Sequence, residues 1–427
     1  MKSKTLTNVL ALALLALLPA WLMAQTTYNV MTLPTFGGSA GAANSINNRG
    51  WVTGLANFAG DSVGHAALWL STTNAIDLGA LGGAAANSVV AWPVENNNGL
   101  IVGISDTADN NPLGEAFSCW PFFTPASPTG KICKGFRWQN NVMAPLPPFP
   151  GGYNSYATGA NNRGQIVGWA ENGVHDPSCN PQFQTLQFRA VIWQPDGSMQ
   201  ELPPLPGDST SAATAINDLG QVVGISGDCE IAYGFGSAAH AVLWQNGVPI
   251  NLGDLGGHSW NTPTAINNQG TIVGFSLPAS QDGTTNFVAV IWTSTGIKAL
   301  GMPAGDDFSE ALGINDKNQV VGLSHAPSGI RAILWQNGTT TDLNAVTLPG
   351  APKLLFANDI NVAGTIVGEA FDALTGTLPA FAAIPLAGAS GSGPAGADNA
   401  SAMIALPPDV EKQVERRALR FGNALRH

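Results

Sequence analysis

Positive charge is scarce in this chain. Only 17 of its 427 residues are Lys or Arg, against 28 Asp and Glu, and charged residues make up 11% of the total. A protein that tracks a nucleic-acid backbone needs a basic stripe to displace counterions. None is present, so nucleic acid is excluded as a partner. Five of the basic residues (Lys412, Arg416, Arg417, Arg420 and Arg426) fall after Val410, which leaves the body strongly acidic. Long apolar runs are missing beyond the N-terminus, so the mature chain is expected to have no transmembrane span. Cysteine occurs four times and never as Cys-x-x-Cys, which speaks against a cysteine-based metal site. There is no His-Glu-x-x-His and no phosphate-binding loop. Gly37-Gly-Ser39-Ala-Gly41 has the letters of a nucleophile elbow, but it lies between two strand patterns rather than at a strand-to-helix turn, so it assigns no esterase chemistry.

What is present begins with an export signal. Lys2 and Lys4 precede an apolar run from Val9 to Leu18, broken by Pro19, and Leu22-Met23-Ala24 offers a cleavage site before Gln25. Residues 1–24 are read as a signal peptide, with an uncleaved anchor as the alternative. The expected location is secreted, periplasmic or at the surface of a bacterium. The 51 Gly and 29 Pro in a chain that is 44% hydrophobic suggest short strands joined by many turns.

One pattern recurs seven times: Ala-x-Ile-Asn-x-x-Gly-Gln-Val-Val-Gly. Its Asn falls at Asn47, Asn96, Asn161, Asn217, Asn267, Asn315 and Asn361, and its last Gly at Gly54, Gly103, Gly168, Gly224, Gly274, Gly322 and Gly368. Asn followed three residues later by Gly is a hairpin turn, because Gly accepts the positive φ that closes it; Asn318 stands in the one exception. The flanking runs become strands A and B. A third run ends in Trp in six copies (Trp69, Trp138, Trp193, Trp244, Trp292, Trp335) and gives strand C. A fourth run, ending in Leu, gives strand D. The seventh copy has no strand D. Tyr28 to Leu33 has the D signature with no A, B or C before it. Ring closure requires that arrangement, since an N-terminal strand can complete the last blade. The expected fold is all-β: a seven-bladed β-propeller of four-stranded blades over residues 25–386, with an open β-solenoid as the alternative. Residues 387–408 form a Gly/Ala/Ser/Pro linker. In 409–427, Val410, Val414, Ala418, Phe421 and Leu425 make one apolar helical stripe. It is read as a solvated helix, with a docked helix as the alternative.

His240-Ala-Val-Leu-Trp244, Ala265-Ile-Asn-Asn-Gln-Gly270 and Leu252-Gly-Asp-Leu-Gly-Gly257 resemble the HAF-type extracellular repeat, over about residues 28 to 386. The His of that motif survives only at His65 and His240. The resemblance implies an exported bacterial repeat protein and no defined activity.

In a propeller, the B–C and D–A loops share one face. From the strand-B Gly to the strand-C Trp the separations are 15, 35, 25, 20, 18 and 13 residues, so the long insertions fall in the B–C loops of units two to four. Variable loops on a rigid scaffold usually carry binding. Cys119 and Cys133 share one insertion, while Cys179 and Cys229 lie in neighbouring B–C loops. Proximity and export favour the disulfides Cys119–Cys133 and Cys179–Cys229. Asp208, His258 and Asp306 follow the crossing-loop Gly in units four to six and, with Asp307, form a candidate polar site near the channel mouth. Trp120, Trp92 and Trp260 are candidate stacking surfaces for sugar rings. Glu95 occupies the column filled by Ile46, Ile216, Ile266, Ile314 and Ile360, so it faces the channel, finds a partner, or marks a register shift near Pro93. Asp106, Asp109 and Glu115, with Asn110 and Asn111, are candidate Ca²⁺ ligands; no other cofactor is expected.

The first functional expectation is a surface or secreted scaffold, not an enzyme, that binds on the B–C/D–A face. Its partner would be a glycan, a cell-envelope polymer or a protein. The alternative is a carbohydrate-active or other hydrolytic enzyme using carboxylates. Two carboxylates in a deep pocket would favour the enzyme, and a flat face with exposed aromatics would favour binding.

Overall fold

Twenty-eight strands among the described residues form seven antiparallel sheets of four. The structure is a computed structural model. It describes residues 26–94, 96–115, 119, 122–123, 129–230, 237–326, 329–386, 406–407, 410–412 and 414. The expected signal peptide (1–24) and the expected linker (387–408), apart from 406–407, lie outside the described residues.

Six sheets run A-B-C-D in chain order, as in blade three (Ser155–Ala160, Ile166–His175, Leu186–Trp193, Met199–Leu202). The seventh is built from Lys353–Ile360, Ile366–Phe371, Ala380–Pro385 and the N-terminal strand Tyr28–Leu33. Tyr28 pairs with Pro385 and Leu33 with Ala380. The N-terminal strand thus supplies the missing D and closes the ring, so the fold is a seven-bladed β-propeller.

The repeated Asn explains how one short motif builds a ring. Its side-chain oxygen accepts from the turn that follows; Asn217 Oδ1 takes the N–H of Leu219 and of Gln221 at 3.1 and 3.0 Å. Its side-chain nitrogen leaves the blade. Asn217 Nδ2 donates to the backbone oxygen of Asn267 in the next blade at 3.0 Å. The same bond joins Asn47 to Asn96, Asn96 to Asn161, Asn161 to Asn217, Asn267 to Asn315, Asn315 to Asn361, and Asn361 back to Asn47. These seven bonds encircle the narrow-turn face. The turns close as the motif requires, with positive φ at Gly50, Gly99, Gly164, Gly220, Gly270 and Gly364 and at Asn318.

The last Gly of the motif has a separate cause. In the blades other than the second, strand A bulges opposite strand B, as between Ala213 and Ala215. The strand-A carbonyl then leans over strand B. A Cβ at Gly224 would sit 2.0 Å from the Ala212 oxygen, and at Gly54 1.8 Å from that of Ala42. The bulged residue reaches sideways. Thr158, Thr214 and Thr264 each donate from Oγ1 to a strand-A carbonyl of the next blade. Blades three, four and five are thereby tied to the next blade at two levels around the channel.

The strand-C Trp residues pack between blades. Trp69, Trp193, Trp244, Trp292 and Trp335 donate from Nε1 to Pro34, Pro147, Pro203, Gly253 and Gly301 in the crossing loop that enters their own blade. Blade two departs from the pattern. Its strand A is only Ser88–Val89, and the chain then leaves the ladder through Trp92 and Pro93. Pro93 has no N–H to donate to a ladder. Glu95 lies outside the described residues.

The tail differs from the solvated helix expected of it. Residues 410–412 and 414 are helical, and Val410 and Val414 are buried against blades six, seven and one. The stripe is therefore docked, at least over its first turn. Ala418, Phe421 and Leu425 lie outside the described residues.

Candidate active site in the central channel

The long B–C loops are fastened to each other. Disulfides join Cys119 to Cys133 and Cys179 to Cys229, the second linking blade three to blade four. Beside them, one amide holds two carboxylates. Asn154 Nδ2 donates to Glu171 Oε1 at 2.6 Å and to Glu115 Oε2 at 3.1 Å. Glu115 also accepts the N–H groups of Thr185 and Leu186 and the Asn111 amide. Glu171 accepts the N–H groups of Tyr153 and Asn154 and the Gln184 amide. Burial, with the charge of Glu115 beside it, pushes the Glu171 carboxyl up to about 7. Every donor around the two groups comes from a loop or strand end, so the pair braces the loops.

This arrangement uses one of the candidate calcium ligands elsewhere. Glu115 is turned into the loop brace. Asp106 is buried, takes a hydrogen bond from Thr129 and is raised to about 6 by burial, while Asp109 is exposed. Among the described residues, no three His, Cys, Asp or Glu are grouped so as to hold a metal.

The polar column does not converge either. Asp208 accepts from Ser226 Oγ and faces His240 Nδ1 at 3.0 Å. His258 faces Asp282 at 2.8 Å. Asp306 pairs with Arg331 at 2.7 Å and takes the Ser324 hydroxyl, and Asp307 meets His325 at 2.6 Å. Each group is satisfied within its own blade. The aromatic expectation fails for a related reason. Trp92 is packed between Phe122 and Trp169, and Trp260 is buried near Phe287, so neither offers a face to a sugar. Trp120 lies outside the described residues.

The cavity lies instead inside the ring. Near the loop face, the channel holds a small space of about 30 Å³ walled by Trp92, Pro93, Asn44, Asn358, Phe356 and Glu310, among others. Glu310 stands on strand A of blade six (Phe308–Ile314) and is 1% exposed. Pro93 separates this space from a second, lower cavity that Asp359 borders together with Ala215 and Ile266. Asp359 accepts the backbone N–H of Ile46 at 2.8 Å, and burial pushes its carboxyl up to about 7. Neither Glu310 nor Asp359 was picked out by the sequence reading. A signal for Asp359 existed: its column holds Ser45, Val94, Gly159, Ala215, Ala265 and Gly313.

No protein-family model and no curated protein matches the chain. Solved structures share its fold. The β-propeller domain of the Trilobed protease from Pyrococcus furiosus is 9% identical, with 84% of this chain and 97% of that one covered and a TM-score of 0.47. Virginiamycin B lyase from Staphylococcus aureus is 10% identical over 84% of this chain and 99% of that one, at 0.45. Acylaminoacyl peptidase from Pyrococcus horikoshii is 9% identical, at 0.44; 82% of this chain matches half of that one. At these identities the likeness is one of fold.

The expectation of a scaffold that binds on its B–C/D–A face does not stand. Its candidate residues Asp208, His258, Asp306 and Asp307 are held by partners within their own blades. The loop face also lacks the exposed aromatics that reading relied on, at Trp92 and Trp260.

Proposed function

We propose that the chain is an exported hydrolase acting on a carbohydrate-type substrate, with the upper channel cavity as its pocket and Glu310 as its acid–base group. The observation that carries this reading is a carboxylate withdrawn from bulk water on the wall of a cavity inside the ring. Asn44 and Asn358 add amide groups. In this reading Glu310 takes a proton from the attacking water and returns it to the leaving oxygen as the C–O bond breaks. Water is thus added across the bond and the carboxylate is regenerated. Export rests on the N-terminal basic and apolar stretch, and two disulfides suit an oxidising compartment. No described helix is long and apolar enough to cross a membrane.

The test is a panel of chromogenic glycosides, esters and lactones with the mature protein and Glu310→Gln. Turnover of at least one glycoside, reduced about 100-fold or more in the variant, supports the reading. No turnover across the panel, or turnover that Glu310→Gln leaves unchanged, overturns it.

A further inference from the structure

Blades six, seven and one carry an apolar patch at the loop end of the channel. Leu312, Leu323 and Phe356 belong both to this patch and to the wall of the upper cavity. The patch is covered by the chain's own tail. Val410 and Val414, one helical turn apart, are 9% and 2% exposed and join the same cluster, with Leu406 partly buried beside them. The turn is helical in its hydrogen bonding as well, since Glu411 N donates to Pro407 O at 2.8 Å. Glu411 also lies close enough to Lys353, on strand A of blade seven, for its charge to act on that amine. Apolar residues spaced four apart with an acid on the flank are what a helix presents to a groove with a basic edge.

We infer that this patch is an interaction surface for a short amphipathic helix, that its resident occupant is the part of the C-terminal tail carrying Leu406, Val410 and Val414, and that these residues close the channel cavity from the loop side. The closing role rests on the reading of that cavity as the substrate pocket; the docking does not. The hold is modest in kind. Among the described residues it rests on a few aliphatic side chains and the charge of Glu411 near Lys353, with no β-ladder to the blades, and residues 387–405 stand between it and the ring. Such a contact suits a cover that can be displaced by a competing helix of the same pattern.

The test uses the full mature chain carrying Val410→Asp and Val414→Asp, with Val410→Ala and Val414→Ala as a milder pair. Amide hydrogen exchange at Phe308–Leu312 and Leu354–Phe356 is expected to accelerate at least tenfold in the Asp pair and less in the Ala pair. A labelled synthetic peptide of residues 403–427 is expected to bind the Asp pair and not the wild type. Unchanged exchange together with no peptide binding overturns the docking. A wild-type protein that is dimeric by light scattering and becomes monomeric in the Asp pair overturns the intrachain occupant in favour of a second copy. If a glycoside substrate is known, its turnover rises in the Asp pair. Docking intact without any turnover in either protein overturns the hydrolase and leaves the interaction surface standing.

Discussion

Asn361 of the last blade donates from Nδ2 to the backbone oxygen of Asn47 in the first, at 3.2 Å across 314 residues of sequence. Six equivalent bonds lead around the ring to it. The residue that shapes each turn is therefore also the residue that joins each blade to the next.

Asn217 separates these two roles experimentally. It is fully buried, with its oxygen on the turn and its nitrogen on Asn267. Asn217→Ala removes both, and a loss of about 2–3 kcal/mol is expected in urea unfolding, since buried groups are left without partners. Asn217→Asp keeps the turn acceptor and sets a carboxylate against the Asn267 oxygen. It should be destabilised at neutral pH and partly recovered near pH 4. Equal stability of all three proteins would remove the ring from the account of the fold.

Deletion of Thr26 to Pro34 opens the seventh blade. Tyr28 and Leu33 are 2% and 4% exposed and lose their burial with it. Together with the ladder bonds to Ala380–Pro385, a loss of about 5 kcal/mol is expected. Calorimetry should show a melting temperature several degrees lower, and an unchanged value would refute closure by this strand.

The two disulfides should differ in weight. Cys179–Cys229 closes a separation of 50 residues and Cys119–Cys133 one of 14. In the chain-entropy picture these correspond to about 4 and about 3 kcal/mol. Paired Cys→Ser variants, compared by denaturant unfolding, are expected to fall in that order. Peptide mapping of the oxidised protein checks the pairing itself.

Asp359 gives a pH dependence of definite sign. Burial raises its carboxyl from the ordinary value to about 7, so between roughly pH 4 and pH 7 the folded chain holds a proton that the unfolded chain has lost. Its contribution to stability is present below that window and is lost as pH rises through it. Asp359→Ala, the residue found at Ala215 and Ala265, lacks that loss. The melting-temperature gap between wild type and variant should therefore narrow from pH 5 to pH 8. A constant gap would mean that Asp359 ionises in the channel without penalty.

Much of this architecture was open to a reader of the chain because the repeat is redundant. Seven copies of Asn-x-x-Gly locate the hairpins, and counting strands exposes the displaced Tyr28–Leu33. The cysteine pairing followed from placing Cys179 and Cys229 in neighbouring loops. What could not be read depends on contacts between units. The amide of Asn217 reaches Asn267 only because two turns lie side by side. Glu171 and Asn154 have no periodic signal, and their meeting with Glu115 depends on how an insertion folds over the next blade. Glu310 sits in a column with Ala42, Tyr156, Ala212 and Phe356, too varied for an acid to stand out. Trp92 and Trp260 were taken as surface aromatics because burial by neighbouring loops leaves no trace in their own segments.

Closure by the first strand also sets an order of events in the life of the chain. Tyr28–Leu33 emerges ahead of every blade, yet its only ladder partner, Ala380–Pro385, is made some 350 residues later. Until then a short strand with unpaired edges must be kept from other partners, and its pairing is about as distant in sequence as the fold allows. Synthesis therefore leaves the ring waiting for its first and last strands to meet. A ribosome stalled, or a chain clipped, before residue 380 would release six blades and an unmatched strand, a species suited to joining with another chain in the same state.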